Sequence, residues 1–266
     1  MDLLDLEEID RDIYRASFVI EGSRHLYGGQ VAAQALKAAG LTVPAERRPH
    51  SLHGYFLRAG DADRPTVFRV ERDRDGRSFS ARRVIALQRG EVLFNMSCSF
   101  HVEVDTIAEQ TLAVPELAPP ADLPPFTHGL VSVEMRAPAE SPNGWAWPTR
   151  FWARATVPLG DELDHACALT YISDISTGLV AWADGKQGPG PSIDHAVYFH
   201  RPLRADSWVL MDVVPHIVAR GRGVYTGSMS SPDGEQALTL VQEGLFLPNL
   251  GIVPPGSHAA GYGTTR

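Results

Sequence analysis

The feature that most restricts the fold is a pattern met twice. Tyr55-Phe56-Leu57-Arg58 returns as Tyr198-Phe199-His200-Arg201, 143 residues on. Gly76-Arg77 returns as Gly221-Arg222 at a spacing of 145, and Gly90-Glu91 as Gly234-Glu235 at 144. Each match is weak alone. Three in the same order, each inside a helix-then-strands sequence, indicate an internal duplication. A duplicated chain of 266 residues folds as two similar halves, each near the size of an ordinary domain.

The first half opens on a helix at residues 30–39, preceded by Gly28-Gly29 and closed by Gly40. Val31, Ala32, Ala35, Leu36 and Ala39 form one apolar stripe of mostly small residues, so a neighbour can pack very close. Strand composition follows at residues 51–58, 66–72, 78–88 and 91–102, with turns at Asp75-Gly76 and Arg89-Gly90. In the last of these, Val92, Phe94, Met96, Cys98, Phe100 and Val102 alternate with more polar residues and mark one buried face. A helix followed by an antiparallel meander is an α+β pattern.

Residues 114–148 hold eight of the 20 prolines and read as a linker interrupted by a strand at 130–136. The second half then offers a strand at 150–157, a helix at 164–183, and strands at 192–201, 208–214, 223–230 and 237–247. The expected organisation is an N-terminal domain over 1–113, a proline-rich linker over 114–128, a C-terminal domain over 129–248 and a loose Gly/Pro-rich tail over 249–266.

A net charge of -8 and a pI near 5.7 argue against coating nucleic acid or anionic membrane. Cys98 and Cys167 are too few for a disulfide framework or a zinc ribbon. No apolar run reaches the roughly 18–20 residues of a membrane span, and the first residues lack a signal-peptide layout. A reduced, cytoplasmic protein is expected. Lys37 and Lys186 are the only lysines. The eight arginines between Arg64 and Arg89 read as a solvated face paired with Glu71, Asp73 and Asp75.

Where the second half carries polar groups that the first lacks, a site is indicated. Adding 144 takes Cys98 to Gln242, which places an amide on an inward face. Such a group requires partners, because an unsatisfied buried amide costs about 1–3 kcal/mol. Adding 143 takes Val31 to Asp174 at the top of the second helix stripe, with Ile175, Gly178, Leu179 and Trp182 following it. A buried aspartate there has a tunable pKa. Ser192 falls near Pro49 and opens a strand. The sequence contains no G-x-S-x-G elbow, no P-loop and no H-E-x-x-H. His195 and His200 read as packing or surface histidines.

At these residues the chain resembles the bacterial acyl-CoA thioesterase II family. The resemblance lies in His25-Leu26-Tyr27-Gly28-Gly29-Gln30-Val31, in His53-Gly54-Tyr55-Phe56-Leu57-Arg58-Ala59-Gly60-Asp61 and in residues 75–84. In the second half it lies in Ser173-Asp174, Ile193-Asp194-His195, Phe199-His200-Arg201-Pro202 and Val241-Gln242-Glu243-Gly244. It implies two fused hotdog domains, each a long helix wrapped by an antiparallel sheet, with the sheets continuous. It also implies an Asp, Thr and Gln trio that holds a hydrolytic water. The aspartate falls on Asp174, the glutamine on Gln242 and the threonine on Ser192, a departure that keeps the hydroxyl and loses the rotamer-restricting methyl.

The implied activity is hydrolysis of acyl-CoA to fatty acid and coenzyme A, with no metal or other cofactor and with association into a homo-oligomer. An oxyanion site at Gly28 and Gly29, ahead of the first helix, is the accompanying expectation. Two alternatives stand beside it: a hotdog enoyl-CoA hydratase or dehydratase, and a non-catalytic acyl-CoA-binding protein. The hydratase needs an Asp/His acid–base pair, and neighbouring strand residues such as Asp194 and His195 face opposite ways.

Overall fold

The computed structural model describes residues 1–19, 25–139, 148–175, 178–183 and 187–248. The first half runs β1 (Leu6–Asp10), β2 (Ile13–Ala16), α1 (Gly28–Gly40), β3 (Arg47–Phe56), β4 (Thr66–Asp75), β5 (Phe79–Gln88) and β6 (Glu91–Val102). The second runs β7 (Val133–Arg136), β8 (Arg150–Ala155), α2 (Glu162–Ser173), β9 (Gln187–Ser192), β10 (Asp194–Phe199), β11 (Val209–Ala219), β12 (Arg222–Ser230) and β13 (Gln236–Pro248). The strands form one antiparallel sheet in the order β1-β2-β4-β5-β6-β3-β10-β13-β12-β11-β8-β7, with β9 added on β13. Read from either end, the order steps through equivalent strands and meets at β3 and β10. There Gly54 faces His195 and Leu52 faces Val197, so the two halves share a continuous sheet. His53 Nε2 and Asp194 Oδ2, 2.9 Å apart, tie the same seam.

Both helices are buried within the curve of this sheet. The small residues of α1 let α2 lie directly alongside, and the two run antiparallel. A Cβ on Gly40, at the end of α1, would meet Leu163 at the start of α2, and one on Gly28 would meet Asp174 just past its end. Lys37 Nζ and Asp164 Oδ1 pair across the helices at 2.5 Å. On β6 the alternation holds: Phe94, Met96, Cys98 and Phe100 are buried, as are their counterparts Leu238, Leu240 and Gln242 on β13.

The element positions refine the duplication. From β4 to β11 and from β5 to β12 the spacing is 143 residues (209 − 66 and 222 − 79), but from α1 to α2 it is 134 (162 − 28). The second half therefore carries nine additional residues between helix and sheet (143 − 134). The helix expected to reach residue 183 stops at Ser173. Asp174 caps it, and a single 3-10 turn follows at Val180–Trp182. Ser173 and Asp174 explain the stop, because short polar side chains compete for backbone hydrogen bonds, as Ser173 Oγ does by donating to the Thr170 carbonyl. Asp174 is thus the counterpart of Gly40, at the helix end (40 + 134), and not of Val31. Trp182, expected on a buried stripe, is exposed, whereas Ile175 and Leu179 are buried.

Two further readings are corrected, and one strand pair is added. The strand expected over 192–201 is two strands broken at Ile193. Strands β1 and β2, joined through Asp12 at a φ of 60°, had no sequence reading because each is only four or five residues long. Much of the arginine-rich face is paired, through Arg72–Asp12, Arg83–Asp73 and Arg64–Asp61, but Arg82 is not solvated. Arg82 is 1% exposed. It donates to Thr42 Oγ1, to the carbonyls of Thr42, Arg74 and Ala81, and to Asp75. The tail at 249–266 lies outside the described residues, as does part of the proline-rich stretch.

Candidate active site

The early end of α2 places Asp174 where the C-terminus of one helix meets the N-terminus of the other. The carboxylate is 3% exposed. Two side chains from the sheet reach it. Gln242, inward on β13, donates from Nε2 to Asp174 Oδ1 at 2.7 Å and to Ser192 Oγ at 2.5 Å. Ser192, at the end of β9, donates from Oγ to the same Oδ1 at 3.1 Å. Strand pairing explains the meeting, since Ser192 faces Gly244 across β9 and β13, two residues from Gln242. The carboxylate, hydroxyl and amide singled out from the sequence therefore converge on one point.

The fourth contact comes from α1. The Gly29 backbone N–H hydrogen-bonds to Asp174, so the positive end of the α1 dipole is aimed at the carboxylate. Glycine is required at both positions. A Cβ on Gly28 would lie 2.6 Å from Asp174 Oδ2 and 2.9 Å from the Phe56 ring, and one on Gly29 would lie 2.5 Å from the Tyr171 carbonyl oxygen. Tyr27 holds the approach: its hydroxyl donates to the Tyr171 carbonyl at 3.1 Å, and the two rings meet edge-on. The Gly29 amide is thus already engaged with the carboxylate.

Burial dominates the electrostatics. It raises the Asp174 pKa from 3.8 to about 7, against the opposing hydrogen bonds from Gln242, Ser192 and Gly29. Burial likewise pushes the Tyr27 hydroxyl well above its ordinary 10. A carboxylate titrating near neutrality in a sealed site is suited to take and return a proton.

His195 is fully buried, with Nε2 2.7 Å from Ser173 Oγ. Asp194 points the other way, to His53, so the two adjacent residues do not form an acid–base pair. His200 is exposed and bonds Thr239. From the sequence His195 reads as a packing or surface histidine, and the structure makes it a packing one; its proximity to the site comes from β10 crossing beside β13 and carried no local sequence signal. Cys98 and Cys167 are buried thiols. Among the described residues no group of three or more His, Cys, Asp or Glu side chains is placed to hold a metal ion, and no helix is long and apolar enough to cross a membrane.

Two buried helices back to back within one antiparallel sheet define a double hotdog protein. A hotdog-fold protein of unknown function from Alicyclobacillus acidocaldarius superposes with a TM-score of 0.76 over 94% of this chain and 98% of that one, at 20% identity. Family models for the acyl-CoA thioesterase N-terminal domain and C-terminal domain match residues 20–101 and 108–246. Rat acyl-coenzyme A thioesterase 8 is 34% identical over 92% of this chain and 87% of its own length. The crystal structure of acyl-CoA thioesterase II TesB2 from Mycobacterium marinum is similar at 38% identity, with a TM-score of 0.77 over 95% of this chain and 98% of that one. The chain belongs to the acyl-CoA thioesterase II family.

Proposed function

We propose that this protein hydrolyses acyl-CoA thioesters to a free fatty acid and coenzyme A, with Asp174 as general base. The observation that carries the reading is the buried carboxylate near pH 7, held at one oxygen by both Gln242 and Ser192. In the proposed cycle a water lies against Asp174, Ser192 and Gln242, oriented toward the thioester carbonyl. As its oxygen attacks the carbonyl carbon, its proton passes to Asp174, a role typically worth about 10²–10⁴-fold in rate.

Negative charge moves from the carboxylate to the carbonyl oxygen, and both lie at the N-terminus of α1. Once Asp174 is neutral, the Gly28–Gly29 end of that helix is left to stabilise the oxyanion. Collapse of the tetrahedral intermediate breaks the C–S bond. Asp174 then returns its proton to the departing coenzyme A thiolate, which restores the carboxylate. The chemistry calls on no metal or other cofactor. Ser192 supplies the same hydroxyl as the family's threonine.

Thiol release across a panel of acyl-CoA lengths, run beside Asp174→Asn, tests the reading. Turnover by the native protein and none by the variant is expected. A fully active variant removes Asp174 as base, and a native protein that binds acyl-CoA without turnover removes the hydrolase. A cytoplasmic location and association into a homo-oligomer belong to the same proposal, and sedimentation of the purified protein measures the second.

A further inference from the structure

The side-chain amide of Gln242 has two ends of nearly equal shape, and the site works with only one of them turned toward Asp174. With Nε2 inward, its two N–H groups go to Asp174 and Ser192. Turned over, Oε1 would oppose the carboxylate, and the donors that lower the aspartate's pKa would be lost. What fixes the orientation must act on the other end.

That end is sealed. Gln242 Oε1 and His195 Nδ1 are both buried without a well-aligned hydrogen bond among the described residues. They belong to side chains that meet: β10 and β13 pair with Ala196 opposite Val241, which brings His195 opposite Gln242 at the next step. The ring's far nitrogen, Nε2, is anchored 2.7 Å from the hydroxyl of Ser173, the residue before Asp174. In the tautomer with its proton on Nδ1, an unpaired donor lies beside an unpaired acceptor, which is costly, and a small rotation of the ring closes the bond between them.

We propose that His195 is a positioning residue, which holds Gln242 in its working orientation by donating from Nδ1 to Oε1 while Nε2 accepts from Ser173 Oγ, whose single proton turns from the Thr170 carbonyl at 2.9 Å to the ring at 2.7 Å. The result is a one-way chain of donors from Ser173 through His195 and Gln242 to Asp174. It requires a neutral ring, and burial depresses the His195 pKa to about 4, with Gln242 opposing that shift. The charged or titratable neighbours are Asp194 and His53 for the ring, and Tyr27 for Asp174. The proposal rests on Asp174 acting as base, and the test separates the two.

The experiment compares His195→Asn, His195→Gln and His195→Leu for thiol release against pH, with His195→Leu repeated in a Gln242→Ala background. Asparagine keeps a donor where Nδ1 stands, whereas glutamine keeps only the far contact with Ser173. His195→Gln and His195→Leu should lose about tenfold or more in kcat with KM within about twofold, and His195→Asn should recover most of the loss. The acid limb of the profile should move to higher pH in the first two, because a lost donor raises the pKa of Asp174. In the Gln242→Ala background His195→Leu should cost less than about twofold more, because coupled residues are not additive.

The inference is overturned if His195→Gln matches His195→Asn with an unmoved limb, or if the His195 and Gln242 losses multiply. Should His195→Leu fail to fold, the Asn and Gln pair still decides. A fully active Asp174→Asn protein would instead defeat the underlying reading, whatever the His195 variants do.

Discussion

Replacing Asp174 by asparagine should remove activity and make the protein more stable at alkaline pH. Burial raises this carboxyl from 3.8 to about 7 in the folded chain. Between those values the folded state binds a proton that the unfolded state has released, so stability falls as pH rises through the window. At 1.36 kcal/mol per pH unit the whole rise costs the native fold about 4 kcal/mol, of which about 2–3 kcal/mol falls between pH 5 and 8. Asparagine has nearly the same shape and can still accept from Gln242 and Ser192. It carries no charge to bury, although its NH2 group faces the Gly29 amide at a cost of about 1–3 kcal/mol. That cost is the same at every pH and drops out of the comparison. Urea unfolding of both proteins at pH 5 and pH 8 should therefore give a difference in stability that shifts by about 2–3 kcal/mol in the variant's favour at the higher pH. Parallel stability curves would show that Asp174 is not a neutral-range carboxyl and would refute the argument from burial.

Three other outcomes follow from particular contacts. Gly28→Ala places a methyl 2.6 Å from Asp174 Oδ2, and thiol-release assays should show kcat/KM falling about 10–100-fold while circular dichroism is unchanged. Arg82→Ala takes the donor from the carbonyls of Thr42, Arg74 and Ala81, while the half-exposed Asp75 keeps its bond from Ser80, so denaturant unfolding should report a loss of about 2–4 kcal/mol; a loss below about 1 kcal/mol would contradict the role of this buried cation. Ser192→Ala removes one donor to Asp174 and should cost about tenfold or more in kcat, whereas Ser192→Thr should stay within about threefold of the native rate.

The sheet was legible because its code is local. Period-two burial on β6 and the repeated strand motifs can be read one residue at a time, and the equivalence of β6 with β13 correctly turned Gln242 inward. The helix mapping failed because a fixed spacing cannot reveal an insertion between helix and sheet. It paired Asp174 with Val31, when the structural counterpart is Gly40. Asp174 was nonetheless singled out, since its apolar neighbours on both sides signalled burial whether it lay within the helix or just beyond its end. The burial of Arg82 and the closeness of His195 to the site escaped the sequence for a different reason. Strand alternation places a side chain on a face and says nothing about which polar groups cross that face from another strand. The contact of Gly29 with Asp174 depends on two helices packed antiparallel, a tertiary fact that no single stretch of sequence encodes.

The central claim is that a buried aspartate, poised near neutrality, removes the proton from the attacking water. The most direct measurement is kcat/KM for acyl-CoA hydrolysis from pH 5 to 9. The account predicts a rate that rises through one ionisation with a midpoint near 7 and then levels off, and no such limb in Asp174→Asn. A midpoint near 4 in the native protein, or the same limb persisting in the variant, would contradict it.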